Sequence, residues 1–126
     1  MNWGVTGAIL LAVAVLVGAF GAHALRDRLD AYSTQIYERA VFYQFVHALG
    51  LVAIGIVAAT HVASGGAVDA AGWLLLAGIA IFSGSLYALA LSGIKVLGAI
   101  TPIGGLAFVG GWVALAYAFA TGASSR

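Results

Sequence analysis

Four apolar stretches, at about 3–24, 34–60, 70–91 and 96–121, follow one another with only short polar connectors between them. Each is long enough to cross a bilayer, because a helix rising 1.5 Å per residue needs about 20 apolar residues for the roughly 30 Å hydrocarbon core. Lipid offers no partner to a free backbone N–H or C=O, so a continuous apolar stretch of this length must satisfy its own backbone as a helix. The expected fold is therefore an all-α membrane protein. It forms one domain over residues 1–126, a compact bundle of four transmembrane helices with short loops and the lipid bilayer as its partner. Composition agrees: 7% charged residues is far below the quarter or so of a soluble domain.

The first stretch has a rival reading. Ala22-His23-Ala24 imitates the A-x-A site at which a signal peptide is cut, but the amino end carries no Lys or Arg and the apolar run is longer than a usual signal core. A retained helix is expected. The mixed-charge connector with Arg26, Asp27, Arg28 and Asp30 follows, and Ser33 or Thr34 is expected to cap the second helix. That helix, 34–60, is longer than the hydrocarbon core requires, so Glu38 and Arg39 should stand solvated in the interface. His61 should be solvated in the second connector, and Asp69 is placed to cap the third helix. In the fourth stretch Thr101-Pro102 allows two arrangements. Either the helix starts at Pro102 with Thr101 capping it, or it starts near Lys95 and is broken or kinked at Pro102. The second is preferred.

Basic residues give an orientation. Arg26, Arg28 and Arg39 flank the first connector and Lys95 lies in the third, against only Arg126 in the tail. The positive-inside rule then places those connectors in the cytoplasm and both termini outside it. Trp3, Trp73 and Tyr117 would form an outer aromatic belt, with Tyr32 and Tyr37 near the inner side.

Polar side chains within the apolar stretches are the candidate functional residues, since each needs a partner away from water. Tyr43, Gln44 and His47 fall on one helical face with Ala40, Leu51 and Ile54, which should look into the bundle. With the orientation above, His23, Gln44, His47, Ser83, Tyr87 and Thr101 gather toward the cytoplasmic half. His47 is expected to hydrogen-bond a group on the first or third helix, with Tyr87, Ser83 or His23 as partner, and the indole N–H of Trp112 should find an acceptor inside the bundle. Two uses of the cluster stand open: a structural hydrogen-bond network, or a small hydrophilic site. No metal or cofactor is expected, because metal ligation needs three or four ligands and no Glu-x-x-His or i,i+4 histidine pair occurs. Eighteen glycines, about twice the ordinary share, suggest helices packed through small residues, with Gly18-x-x-x-Ala22, Gly84-x-x-x-Ala88 and Gly110-x-x-x-Ala114 as candidate faces.

The segments GAFGAHAL (18–25), FYQFVHALGL (42–51), FSGSLYAL (82–89) and LGAITPIGG (97–105), followed by Gly111-Trp112, together resemble the YgdD-like and YwdK-like small inner-membrane proteins. That family is a domain of unknown function, with members in the inner membrane of bacteria and relatives in mitochondria. The resemblance implies a four-helix membrane protein and supplies no activity, substrate or catalytic residue.

Several classes of function are disfavoured. A net charge of +1 is too small to argue for nucleic acid, and the absence of cysteine removes thiolate nucleophiles and Cys-ligated metals. There is no nucleophile–base pair and no intramembrane acid, so no enzyme is expected. The preferred reading is a protein that acts by association, as a homo-oligomer or as an accessory subunit of a larger inner-membrane complex. The alternative is a minimal transporter or channel for a proton or small solute, lined by Gln44, His47 and Tyr87.

Overall fold

The computed structural model describes residues 1–124. Four helices in it are long and apolar enough to cross a membrane. They are α1 (Trp3–His23), α2 (Ala31–Thr60), α3 (Gly66–Ser92) and α4 (Thr101–Ser124), the last preceded by a 3₁₀ turn, Lys95–Ala99. Arg126, used above in the charge count, lies outside the described residues.

Local chemistry sets the helix ends. The Asn2 side chain accepts from the Val5 N–H to open α1. At α2 the cap is Asp30, not Ser33 or Thr34: its carboxylate accepts from the Ser33 N–H at 2.7 Å, so the helix starts three residues before the expected position. That N–H and the Ser33 hydroxyl favour the charged carboxylate and hold Asp30 below its ordinary pKa. Helix α2 ends at His61, whose φ of 55° is left-handed. Helix α3 also starts early, at Gly66 after the left-handed Gly65, which puts Asp69 in the first turn rather than at the cap. Its carboxylate is instead taken by the indole N–H of Trp3, at 3.2 Å. The fourth stretch is broken ahead of Pro102. The 3₁₀ turn gives way to α4 at Ile100, and Pro102 sits in the first α turn, where a missing N–H costs nothing.

Within α3 the residues Ile79–Ser83 form a π turn. Such a turn carries one residue more than an α turn and re-aims the side chains on either side of it. Here it lies where the helix meets both α2 and α4.

Helix α1 packs on α2, α2 on α3, and α3 on α4. Glycine decides how closely. A Cβ on Gly7 would lie 2.7 Å from the Ala48 carbonyl oxygen and from the Val52 nitrogen, and one on Gly55 would lie 2.5 Å from the Gly4 nitrogen. The α1 and α2 backbones therefore touch, as close packing without a hydrophobic driving force demands. Elsewhere glycines act as seats for aromatic rings from another helix: Trp3 rests on Gly72, Tyr37 on Gly21, Phe108 on Gly78 and Trp112 on Gly50. The small-residue pairs singled out from sequence are looser. Gly84 has nothing within 4 Å, and the nearest contacts at Gly18 and Gly110 are side-chain atoms at 3.3 and 3.5 Å.

Two cores result. One, at the end carrying the amino terminus and the 61–65 connector, contains Trp3, Leu51, Ile54, Leu75 and Leu115, and extends inward to Phe108. The other, toward the 24–30 and 93–100 connectors, contains Ile36, Tyr37, Ala40, Leu86 and Leu89. Trp73 and Tyr117 are exposed as a belt requires, but Trp3 is only 4% exposed because Gly72 makes room for it. Tyr37 leaves the inner belt in the same way, over Gly21.

Candidate functional site: a hydrogen-bonded polar centre

Gln44 is the hub. It is 4% exposed, its Oε1 accepts from the Tyr87 hydroxyl at 2.7 Å, and its Nε2 donates to the Leu10 carbonyl at 2.9 Å. One amide thus fastens α2 to α3 and to α1. The geometry follows from helix direction, because side chains tilt toward a helix's amino end. Tyr87 accordingly reaches from the last turns of α3 back to the level of Gln44.

Three further bonds surround this hub. Ser83, 1% exposed, donates to the Ala40 carbonyl at 2.8 Å, one turn along α2 from Gln44. The Tyr37 hydroxyl donates to the Val17 carbonyl of α1, and its ring meets Tyr87 edge-on with centroids 5.3 Å apart. Ser85 and Thr101 share a hydrogen bond at 2.6 Å, tying α3 to the first turn of α4 beside Pro102. Among the described residues no buried side-chain nitrogen or oxygen lacks a partner. Each bond relieves the high cost of an unsatisfied polar group in hydrocarbon.

His47 points inward, at 5% exposure, but the partners expected for it are not the ones it takes. Its Nδ1 lies 2.7 Å from the Tyr43 carbonyl of its own helix. A carbonyl only accepts, so Nδ1 is the ring nitrogen that carries a hydrogen and donates here. Tyr87, which sequence reasoning offered to His47, belongs to Gln44. What reaches His47 from another helix is an aromatic face: Phe108 stacks on it with centroids 3.4 Å apart and planes 13° from parallel. Tyr43 and Phe82 continue the pile, their centroids 4.3 Å apart.

The predicted site residues therefore divide. Gln44, Ser83 and Tyr87 come together, Thr101 joins through Ser85, and His47 sits beside them in the aromatic pile. His23 does not join. It is exposed at the end of α1, where the chain leaves for the connector, and its side chain makes no hydrogen bond among the described residues. Trp112 also departs from expectation: its ring packs on Gly50 and is 38% exposed, and its N–H has no acceptor among the described residues. Sequence reasoning missed Tyr37 and Ser85. Tyr37 lies seven residues before Gln44, two helical turns along nearly the same face, and that spacing was the available signal.

Grooves open near the 24–30 and 93–100 connectors. One of about 310 Å³ lies between α1 and α2, with Gly18, Gly21 and Phe45 in its walls and Glu38 among its lining. Another, of about 510 Å³, lies between α2, α3 and the start of α4, with Arg39 and Thr101 lining it. No group of three or more His, Asp or Glu side chains converges as a metal site among the described residues.

No solved structure shows significant similarity to the chain. Membrane proteins of the UPF0382 group do: that of Staphylococcus saprophyticus is 50% identical over 111 residues, 88% of this chain and 90% of its own. That of Staphylococcus haemolyticus is 49% identical over 88% of both chains, and YwdK of Bacillus subtilis is 44% identical over 90% of this chain and 92% of its own. The family described as "Protein of unknown function (DUF423)" matches residues 17–105, which hold α2, α3 and every side chain of the polar centre. The chain belongs to this DUF423 family of membrane proteins.

Proposed function

We propose that the protein acts by association in the inner membrane, as a homo-oligomer or as an accessory subunit of a larger complex, and that it is not an enzyme. The observation that carries this reading is the closure of the polar centre. Gln44, Tyr87, Ser83, Tyr37, Ser85 and Thr101 spend their hydrogen bonds on one another and on backbone carbonyls of this chain. Such side chains fasten helices and hold no group poised for chemistry. The faces turned outward are apolar: Leu16 on α1 and Leu106, Val109 and Val113 on α4 are each more than half exposed. In a bilayer such faces meet lipid or another helix with equal ease, and close packing decides between them.

Mild-detergent extraction followed by cross-linking, affinity purification and mass spectrometry tests the proposal. The expected result is a reproducible companion or a higher multiple of this chain. A clean monomer without a companion contradicts it. Orientation is tested separately by reporter fusions, with the 24–30 connector expected in the cytoplasm and a fusion after Arg126 expected outside.

One feature favours the second reading, a minimal transporter. The 3₁₀ turn Lys95–Ala99 places irregular backbone beside a groove, and irregular backbone in transporters marks solute sites. Flux of protons, cations or small neutral solutes through liposomes holding the purified protein decides it, and no flux is expected.

A further inference from the structure

We propose that the groove between α2, α3 and the start of α4 is a binding site for one anionic phospholipid of the adjoining leaflet, its phosphate held at Arg39. The proposal does not depend on how the protein associates. It rests on charge and apolar surface meeting in one place. Arg39, Gln35 and Thr101 line the same groove of about 510 Å³ as Phe82, Leu86 and Leu89. Arg39 offers a cation and Gln35 an amide, and Phe82, Leu86 and Leu89 offer a wall suited to an acyl chain.

The charge in this groove has no internal balance. The Arg39 side chain is exposed and makes no ion pair or hydrogen bond among the described residues. The neighbouring carboxylate, Glu38, lines the separate groove between α1 and α2, on another side of the helix. A basic pocket between transmembrane helices near one membrane surface is the form in which phospholipid headgroups are held. The long Arg39 stem lets its head remain in the interface while the methylenes lie along the apolar wall.

The test is native mass spectrometry of the purified full chain in mild detergent, titrated with dimyristoyl phosphatidylglycerol or dimyristoyl phosphatidylcholine. One phosphatidylglycerol should be retained about fivefold more tightly than phosphatidylcholine, the preference one basic side chain near a membrane surface confers. Arg39→Gln should abolish the preference and Arg39→Lys should keep most of it. Gly98→Leu should weaken both lipids by filling the groove, and it should fold, since a Cβ there meets nothing nearer than Leu89 Cδ2 at 3.5 Å. Arg28→Gln, in the first connector, should change nothing. Equal retention of the two lipids by the native chain, loss of preference in Arg28→Gln as large as in Arg39→Gln, or displacement of the lipid by inorganic phosphate alone would each overturn the site.

Discussion

Toward the connectors, α2 is fastened to its neighbours by side-chain hydrogen bonds, with Gln44, Tyr87, Ser83 and Tyr37 each crossing to another helix. Toward the amino terminus and the 61–65 connector the same helix is held by shape: Gly55 against the Gly4 backbone, Gly7 against Ala48, and Trp112 seated on Gly50. The difference shows two ways of joining helices when lipid is as apolar as leucine. A hydrogen bond between helices contributes about 0.6 kcal/mol on average and at most about 1.7. Backbone contact depends on having no side chain at all, so it tolerates no substitution, whereas a hydrogen bond can be lost and partly replaced.

The largest expected effect comes from breaking the shape-held end. Gly7→Leu should destabilise the protein by about 3 kcal/mol or more in detergent unfolding, because the atoms in the way belong to the α2 backbone and cannot give. Gly84→Leu, where nothing lies within 4 Å, is the control and should shift stability little. Next, Gln44→Leu should cost about 1 to 3 kcal/mol, since it strands the Tyr87 hydroxyl beside an apolar side chain and frees α1 from α2 at Leu10. A smaller loss, below about 1 kcal/mol, is expected for His47→Leu, whose one hydrogen bond returns to its own helix, and His47→Phe should recover part of it by restoring the stack on Phe108. Both are read from thermal unfolding in the same detergent.

The smallest effect belongs to the Asp30 cap and is read as pH dependence. Because the native carboxylate sits below its ordinary pKa of 3.8, its stabilising bond is fully present above that value. It is lost as pH falls through the lowered native one. Asp30→Asn should remove this acid-side dependence while keeping the cap.

Much of the architecture was legible in the chain, for physical reasons that can be named. Apolar length alone fixes the four spans, and a lone Gln44 in an apolar run has to face protein. Long-range matters were not legible. Which glycine receives which ring depends on the register between helices, so Gly72 and Trp3 could not be paired from spacing, nor could Asp69 be taken from its expected cap by the Trp3 indole. The π turn at Ile79–Ser83 has no composition of its own. His47 found its partner four residues back in its own helix, a local option that sequence reasoning passed over in favour of Tyr87. His23 was grouped with the buried polar residues because its neighbours are apolar, yet α1 ends there and the side chain is exposed.

The measurement that bears most directly on the hydrogen-bonded hub is a double-mutant cycle on Gln44→Leu and Tyr87→Phe, followed by reversible unfolding in detergent. Tyr87→Phe alone leaves Gln44 Oε1 without its donor, and Gln44→Leu alone leaves the Tyr87 hydroxyl without its acceptor, whereas the double variant leaves neither of these two stranded. The two losses should therefore fall short of adding, by a coupling of about 0.6 to 1.7 kcal/mol. Strict additivity would mean that the two side chains do not support each other, and would contradict Gln44 as the hub that joins α2 to α3.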